Sequence, residues 1–83
     1  MNSPAIQPRR KPIHRRLKTR HYAMAYARDY ASVGSWDMML GWLEKAHKAC
    51  SKPMGELQMW RLREKTGPFK FEELKLERFF QRS

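Results

Sequence analysis

From about Arg15 onward the apolar positions of the chain recur at three- and four-residue intervals, the period of helices buried on one side. Leu17, Met24, Ala27 and Ala31, with Ala23 and Tyr30 beside them, fall within one helical arc. Arg16, Lys18, Arg20 and Arg28 lie around its edges. The pattern predicts a helix over 15–32, stopped by Ser32-Val33-Gly34.

The next stretch is better marked. Ser35 is a suitable N-cap, and Asp37 falls in the first turn, where a carboxylate interacts favourably with the helix dipole. Trp36, Met39, Leu40, Leu43, Ala46 and Cys50 form the stripe, and Met38, Trp42 and Ala49 widen it beyond half the circumference. A helix so broadly apolar is expected at the centre of the fold, covered on two sides. Lys45 and Lys48 complement its C-terminal dipole.

Ser51 is expected to cap a third helix with Pro53 in its first turn, where the missing N–H costs little. Leu57, Trp60 and Glu64 share one face of it, Met59 and Leu62 another, and Gly67-Pro68 is a strong stop. The last segment, 69–80, carries two signals. Phe69-Lys70-Phe71 alternates like a strand, whereas Phe71, Leu74, Leu76, Phe79 and Phe80, set among Glu72, Glu73 and Glu77, read as helical. A single strand has no partner to pair with, so a short C-terminal helix is expected.

The fold class implied is all-α: a small three- to four-helix domain over 15–83, behind a disordered basic arm over 1–14. The expected core is Trp36, Met39, Leu40, Trp42, Leu43, Leu57 and Trp60. Composition agrees. Of 83 residues about 60 are left to fold, enough for two helical layers and a modest core, with 41% apolar residues and ten aromatics to fill it. In the arm, Pro4, Pro8 and Pro12 remove backbone donors and favour extended geometry.

Charge changes the picture more than composition does. Residues 1–21 contain Arg9, Arg10, Lys11, Arg15, Arg16, Lys18 and Arg20 and no acid, so seven of the ten net positive charges sit in one quarter of the chain. A run of like charge stays solvated or binds something anionic. Lys and Arg neutralise phosphates and release counterions, giving salt-sensitive affinity without base readout. Arg outnumbers Lys in the run and suits bidentate phosphate contact or minor-groove insertion. The same run also reads as a solubility tail, a polybasic address or a grip on an acidic protein surface. A second basic cluster, Lys52, Arg61, Arg63 and Lys65, is partly offset by Glu56 and Glu64. The expected nucleic-acid contacts are therefore Arg9, Arg10, Lys11, Arg15, Arg16, Lys18, Arg20, Arg28, Arg61, Arg63 and Lys65.

Catalytic and metal chemistry find little footing. His47 and Cys50 are three apart on a helix, but no third orienting group or oxyanion loop is recognisable, so no catalytic residue and no enzymatic activity are expected. His14, His21, His47 and Cys50 lack paired ligand spacing, and the glycines are too scattered for a phosphate loop, so neither metal nor cofactor is expected. The lone Cys50 excludes an intrachain disulfide and favours a reduced intracellular, cytoplasmic setting. No apolar run approaches a membrane span, and no apolar segment follows the N-terminal basic residues as a secretory signal requires. An organelle transit peptide would need an amphipathic helix that the three early prolines interrupt.

Three weaker features bear on function. Ala27–Ala31, the turn Ser32-Val33-Gly34-Ser35 and the segment Trp36 to Lys45 resemble a helix-turn-helix, with a small residue in the first helix, a glycine in the turn and Trp-Leu-x-Lys late in the second. The second helix is about two residues long for that pattern, and Asp37, Gly41 and Glu44 are poor readers of base edges. An ordinary helical hairpin with core tryptophans is the better reading of the same residues. Tyr22, Tyr26 and Tyr30, spaced four apart beside arginines, either stack on single-stranded bases or edge the core with wet hydroxyls. Finally, Met38, Met59, Phe79 and Phe80 exceed what a small core needs and are candidates for an exposed partner-binding patch or a homodimer face.

The leading expectation is thus a small, non-enzymatic, regulator-like nucleic-acid-binding protein, with DNA slightly favoured over RNA by the helix-turn-helix resemblance. The competing one is an interaction protein that docks on an acidic host surface. Both suit the small basic regulators of phages and mobile elements, a parallel of size and composition alone.

Overall fold

The computed structural model describes residues 13–81, and among them the fold is all-α. Four helices follow one another, α1 (Ile13–Ser32), α2 (Trp36–Ala49), α3 (Glu56–Thr66) and α4 (Pro68–Glu73), and a 3-10 turn at Leu76–Phe79 closes the chain. The expected arm lies outside the described residues except for Ile13 and His14, which already belong to α1.

The turn after α1 sets the architecture. Gly34 N–H donates to Ala31 O (3.1 Å) and Ser35 N–H to Tyr30 O (2.9 Å), the paired bonds that satisfy the last carbonyls of a helix. This geometry needs a positive φ at Gly34, 74°, which glycine adopts without a Cβ clash. Ser35 takes the N-cap position of α2 without a side-chain cap bond; Met39 N–H reaches its carbonyl instead (3.0 Å).

From there α2 returns antiparallel along α1, so that Tyr26 meets Trp42 midway and Arg20 meets Ala46 and Cys50 at the far end. Ala23, Met24, Ala27 and Ala31 of α1 pack in one buried cluster with Met39, Leu43 and Ala46 of α2. Small side chains on α1 let the two helices approach closely. Contacts from Tyr26–Trp42 midway to Arg20–Cys50 at the far end make the pair an antiparallel hairpin, the ordinary alternative to the helix-turn-helix resemblance, in which the two helices would meet at about 90–120°.

One side of the hairpin is covered. α3 lies on α1, burying Leu62, and Arg28 Nη1 donates to Gln58 Oε1 across the contact (3.0 Å). Gly67, at φ 87°, ends α3 through its N–H to Arg63 O (2.8 Å), and Pro68 starts α4 in the first turn, where no donor is required. Lys75 in the left-handed region (φ 54°) then separates α4 from the 3-10 turn, which brings Leu76 and Phe79 against α2. The C-terminal segment is therefore helical, not strand, but in two pieces.

Several expectations are corrected. The third helix starts at Glu56 with Gly55 before it, not at a Ser51 cap; residues 51–55 form a loop that Arg20 binds and that inserts Met54 into the core (3% exposed). Leu57 (62% exposed) and Trp60 (49%) lie outside the core, because α3 turns Leu62 inward and those two away. Trp36, Leu40 and Trp42 are only partly buried at its margin, and Leu17, placed on the buried arc of the first helix, is exposed. Phe79, expected on an exposed patch, is buried, and Met59 and Phe80 pack partly buried against the core; Met38 alone of that set is exposed.

Replacing the fully buried Leu43 by Ala should cost about 2–5 kcal/mol in urea unfolding, whereas Leu57→Ala should cost under about 1 kcal/mol despite removing the same atoms.

Candidate functional site

The antiparallel hairpin brings sequence-distant cations to one end. Arg15, Arg16 and Lys18 lie in the first turns of α1, and Lys45, His47 and Lys48 lie in the last turns of α2, followed by Lys52 in the loop. Lys52 is the joint between the two groups. It borders a hollow with Arg16, Leu17, Cys50 and Ser51, and a second hollow with His47, Lys48 and Pro53. No acid lies between Ile13 and Arg28, and Asp29 and Asp37 stand by the turn at the opposite end. Among the described residues the ion pair is Lys70–Glu73 on α4 (3.0 Å), so the cations of this end lack carboxylate partners there.

Arg20 differs from its neighbours. Its Nε donates to Ala46 O (3.4 Å), Nη1 to Pro53 O (3.4 Å), and Nη2 to Cys50 O (3.2 Å) and Lys52 O. A planar guanidinium suits this task because it directs several N–H groups at once. The carbonyls it collects are those at the end of α2 and in the loop behind it, the groups a helix C-terminus leaves unsatisfied. Arg20 thus fixes the loop that carries Lys52, and its donors are turned inward.

The other expected contacts divide similarly. Arg15, Lys18, Arg61 and Lys65 are exposed. Arg28 is tied to Gln58, and Arg63 lies over Trp60 (5.1 Å) and Phe71 (5.8 Å), as a cation packed on rings. Arg9, Arg10 and Lys11 lie outside the described residues, though the chain enters α1 at this same basic end. Lys45, Lys48 and Lys52 were legible only as helix-end charges or as neighbours of the third helix. Nothing in their spacing links them to Arg15–Lys18; the reversal at Gly34 does.

A second feature occupies the side of the hairpin that α3 leaves uncovered. Arg15, Lys18, Tyr22 and Tyr26 line one strip of α1, spaced at helical intervals, with Tyr22 41% and Tyr26 47% exposed. Trp42 joins them from α2, its ring 4.7 Å from that of Tyr26 and 6.4 Å from that of Tyr22. Lys45 stands over Trp42 at 5.9 Å. Tyr30 packs against the core, so the third ring of the cluster is Trp42 and not the tyrosine that regular spacing suggests.

His47 and Cys50 share the rim of one hollow, but the imidazole meets Phe79 edge-on (5.8 Å). Among the described residues no three His, Cys, Asp or Glu side chains gather as metal ligands, and no helix is long and apolar enough to cross a membrane. No known protein family, no curated protein and no solved structure matches this chain.

Arg20→Ala should lower stability by about 1–2 kcal/mol and speed amide exchange across 51–55, with Arg20→Lys recovering only part, since one ammonium cannot serve the same carbonyls. Unchanged exchange in that loop would show that its conformation is set elsewhere.

Proposed function

We propose that the protein is a non-enzymatic nucleic-acid-binding protein that grips phosphates with the basic end of the α1–α2 hairpin and the arm leading into it. The observation that carries this reading is the gathering of Arg15, Arg16, Lys18, Lys45, Lys48 and Lys52 at one end of the hairpin, away from Asp29 and Asp37. Unpaired cations repel one another, and an anionic polymer relieves that repulsion while releasing its own counterions. With the overall net charge of +10, the same field speeds encounter with any polyanion.

The preference for DNA rested on a recognition helix, and α2 lies flat along α1, so that support falls away. Phosphate contact alone distinguishes neither polymer. A second reading, docking on a protein, is favoured by Leu57 and Trp60, exposed one turn apart on α3. Those two side chains, with the near-fully exposed Phe69, replace Met59, Phe79 and Phe80 as the candidate partner surface.

Titrating a labelled oligonucleotide at several salt concentrations tests the main reading. Log affinity should fall linearly with log salt, and Lys48→Ala with Lys52→Ala should reduce the slope by about 1–2. Removing residues 1–12 should reduce it by about 2–3 and leave α1 largely intact. Affinity insensitive to salt and to both changes would exclude this end as the phosphate contact. A partner captured through Trp60, resistant to nuclease and lost in Trp60→Ala, would favour the protein-docking reading.

A further inference from the structure

Gly41 stands in the middle of α2, exposed, with no positive φ and, beyond its chain neighbours and the helix's own backbone, with no described atom within 4 Å of where a Cβ would be. Among the described residues neither backbone conformation nor close packing calls for glycine here. Helix propensity argues against it, because glycine weakens a helix interior relative to alanine. What its missing side chain leaves is a shallow apolar hollow on α2, walled by Met38, Trp42 and Lys45 with Asp37 at the turn end. The hollow adjoins the aromatic cluster, since Trp42 belongs to both.

We propose that this hollow is a stacking site for an unpaired nucleobase, and that the protein therefore binds single-stranded in preference to duplex nucleic acid. The inference rests on the nucleic-acid reading above and names its substrate class. A flat ring is the group that gains most from glycine, because it lies close over the helix backbone while meeting the part-buried indole of Trp42 and the exposed thioether of Met38. Bases stack on aromatic side chains irrespective of sequence, but only when they are free of a duplex. Charge complementarity selects the polymer. Lys45 borders the hollow and lies over Trp42, and Lys18 and Arg15 continue the strip on α1 toward the basic end, placing cations for the phosphates on either side of a stacked base. Asp37 lines the hollow at its turn end, so the backbone of the strand runs on the Lys45 side. Tyr22 and Tyr26 offer further half-exposed rings along that course.

The test is Gly41→Ala in the full chain. Alanine fits the helix and should raise the melting temperature by about 4 °C, while its methyl group stands in the hollow. Affinity for a short single-stranded oligonucleotide should fall about tenfold, and affinity for a duplex of the same length should stay unchanged. Tyr26→Ala, checked for native circular dichroism, should lower single-strand affinity in the same selective way. If both variants leave single-strand affinity intact while wild type still binds with a salt slope, the stacking site is wrong and the phosphate-binding reading survives. If wild type binds neither form at low salt, both fall. Should Gly41→Ala instead change only the sedimentation behaviour, the hollow seats a second copy of the chain and the proposal is overturned.

Discussion

The close approach of α1 and α2 is the constraint on which the remaining structure depends. Ala23, Ala27 and Ala31 recur every fourth residue on α1, and against them Met39, Leu43 and Ala46 are buried without exposed surface. Methyl groups on one side of a helix contact give little area each but bring the backbones near, so the larger residues opposite fill the seam. Two features fix the seam at its ends. Gly34 supplies the reversal at one, and the Arg20 guanidinium ties the end of α2 and its loop to α1 at the other.

With the hairpin settled, the later elements have a single surface to cover. α3 takes the side offered by Met24 and Arg28, and the Leu76–Phe79 turn closes against α2 near His47. Among the described residues no further helix packs on the opposite side. Tyr22, Tyr26 and Trp42 pack on one another there, with edge-on and tilted ring geometries suited to aromatic quadrupoles, and Trp42 also packs against the core. An amphipathic ring tolerates this half-wet position better than Leu or Ile would.

The charge pattern follows from the same reversal. In a chain read end to end, the basic run of 9–20 and the lysines at 45–52 are separate clusters with acids between them. Folding the hairpin superposes the clusters and sends Asp29 and Asp37 to the other end, leaving Glu44 beside Lys45. The arginines are not equivalent. Arg20, Arg28 and Arg63 are engaged by carbonyls, an amide and rings, while Arg15, Lys18, Arg61 and Lys65 remain open to solvent.

The sequence by itself determined the helices, their stops and the central stripe, because these rest on local physics. A 3.6-residue period, a glycine at positive φ and a proline in a first turn act over one or two turns of chain. Met39 and Leu43 were legible as core on that basis, as was the helical character of 69–80. What only the tertiary structure decided was which competing local signal prevailed. Ser51 and Pro53 carry a plausible helix start, yet Arg20 holds that stretch as a loop and Met54 fills the core from it. Leu57 and Trp60 form an apolar face as good as that of Leu62, and the way α3 meets α1 leaves them outside. Trp42 reads as a core residue until the uncovered side of the hairpin is seen, and Gly41 as an unremarkable helix residue until Trp42 and Met38 wall the space above it. Periodicity ranks faces of a helix by apolarity. Which face is buried depends on what else the chain can bring against it, and that is a property of the whole fold.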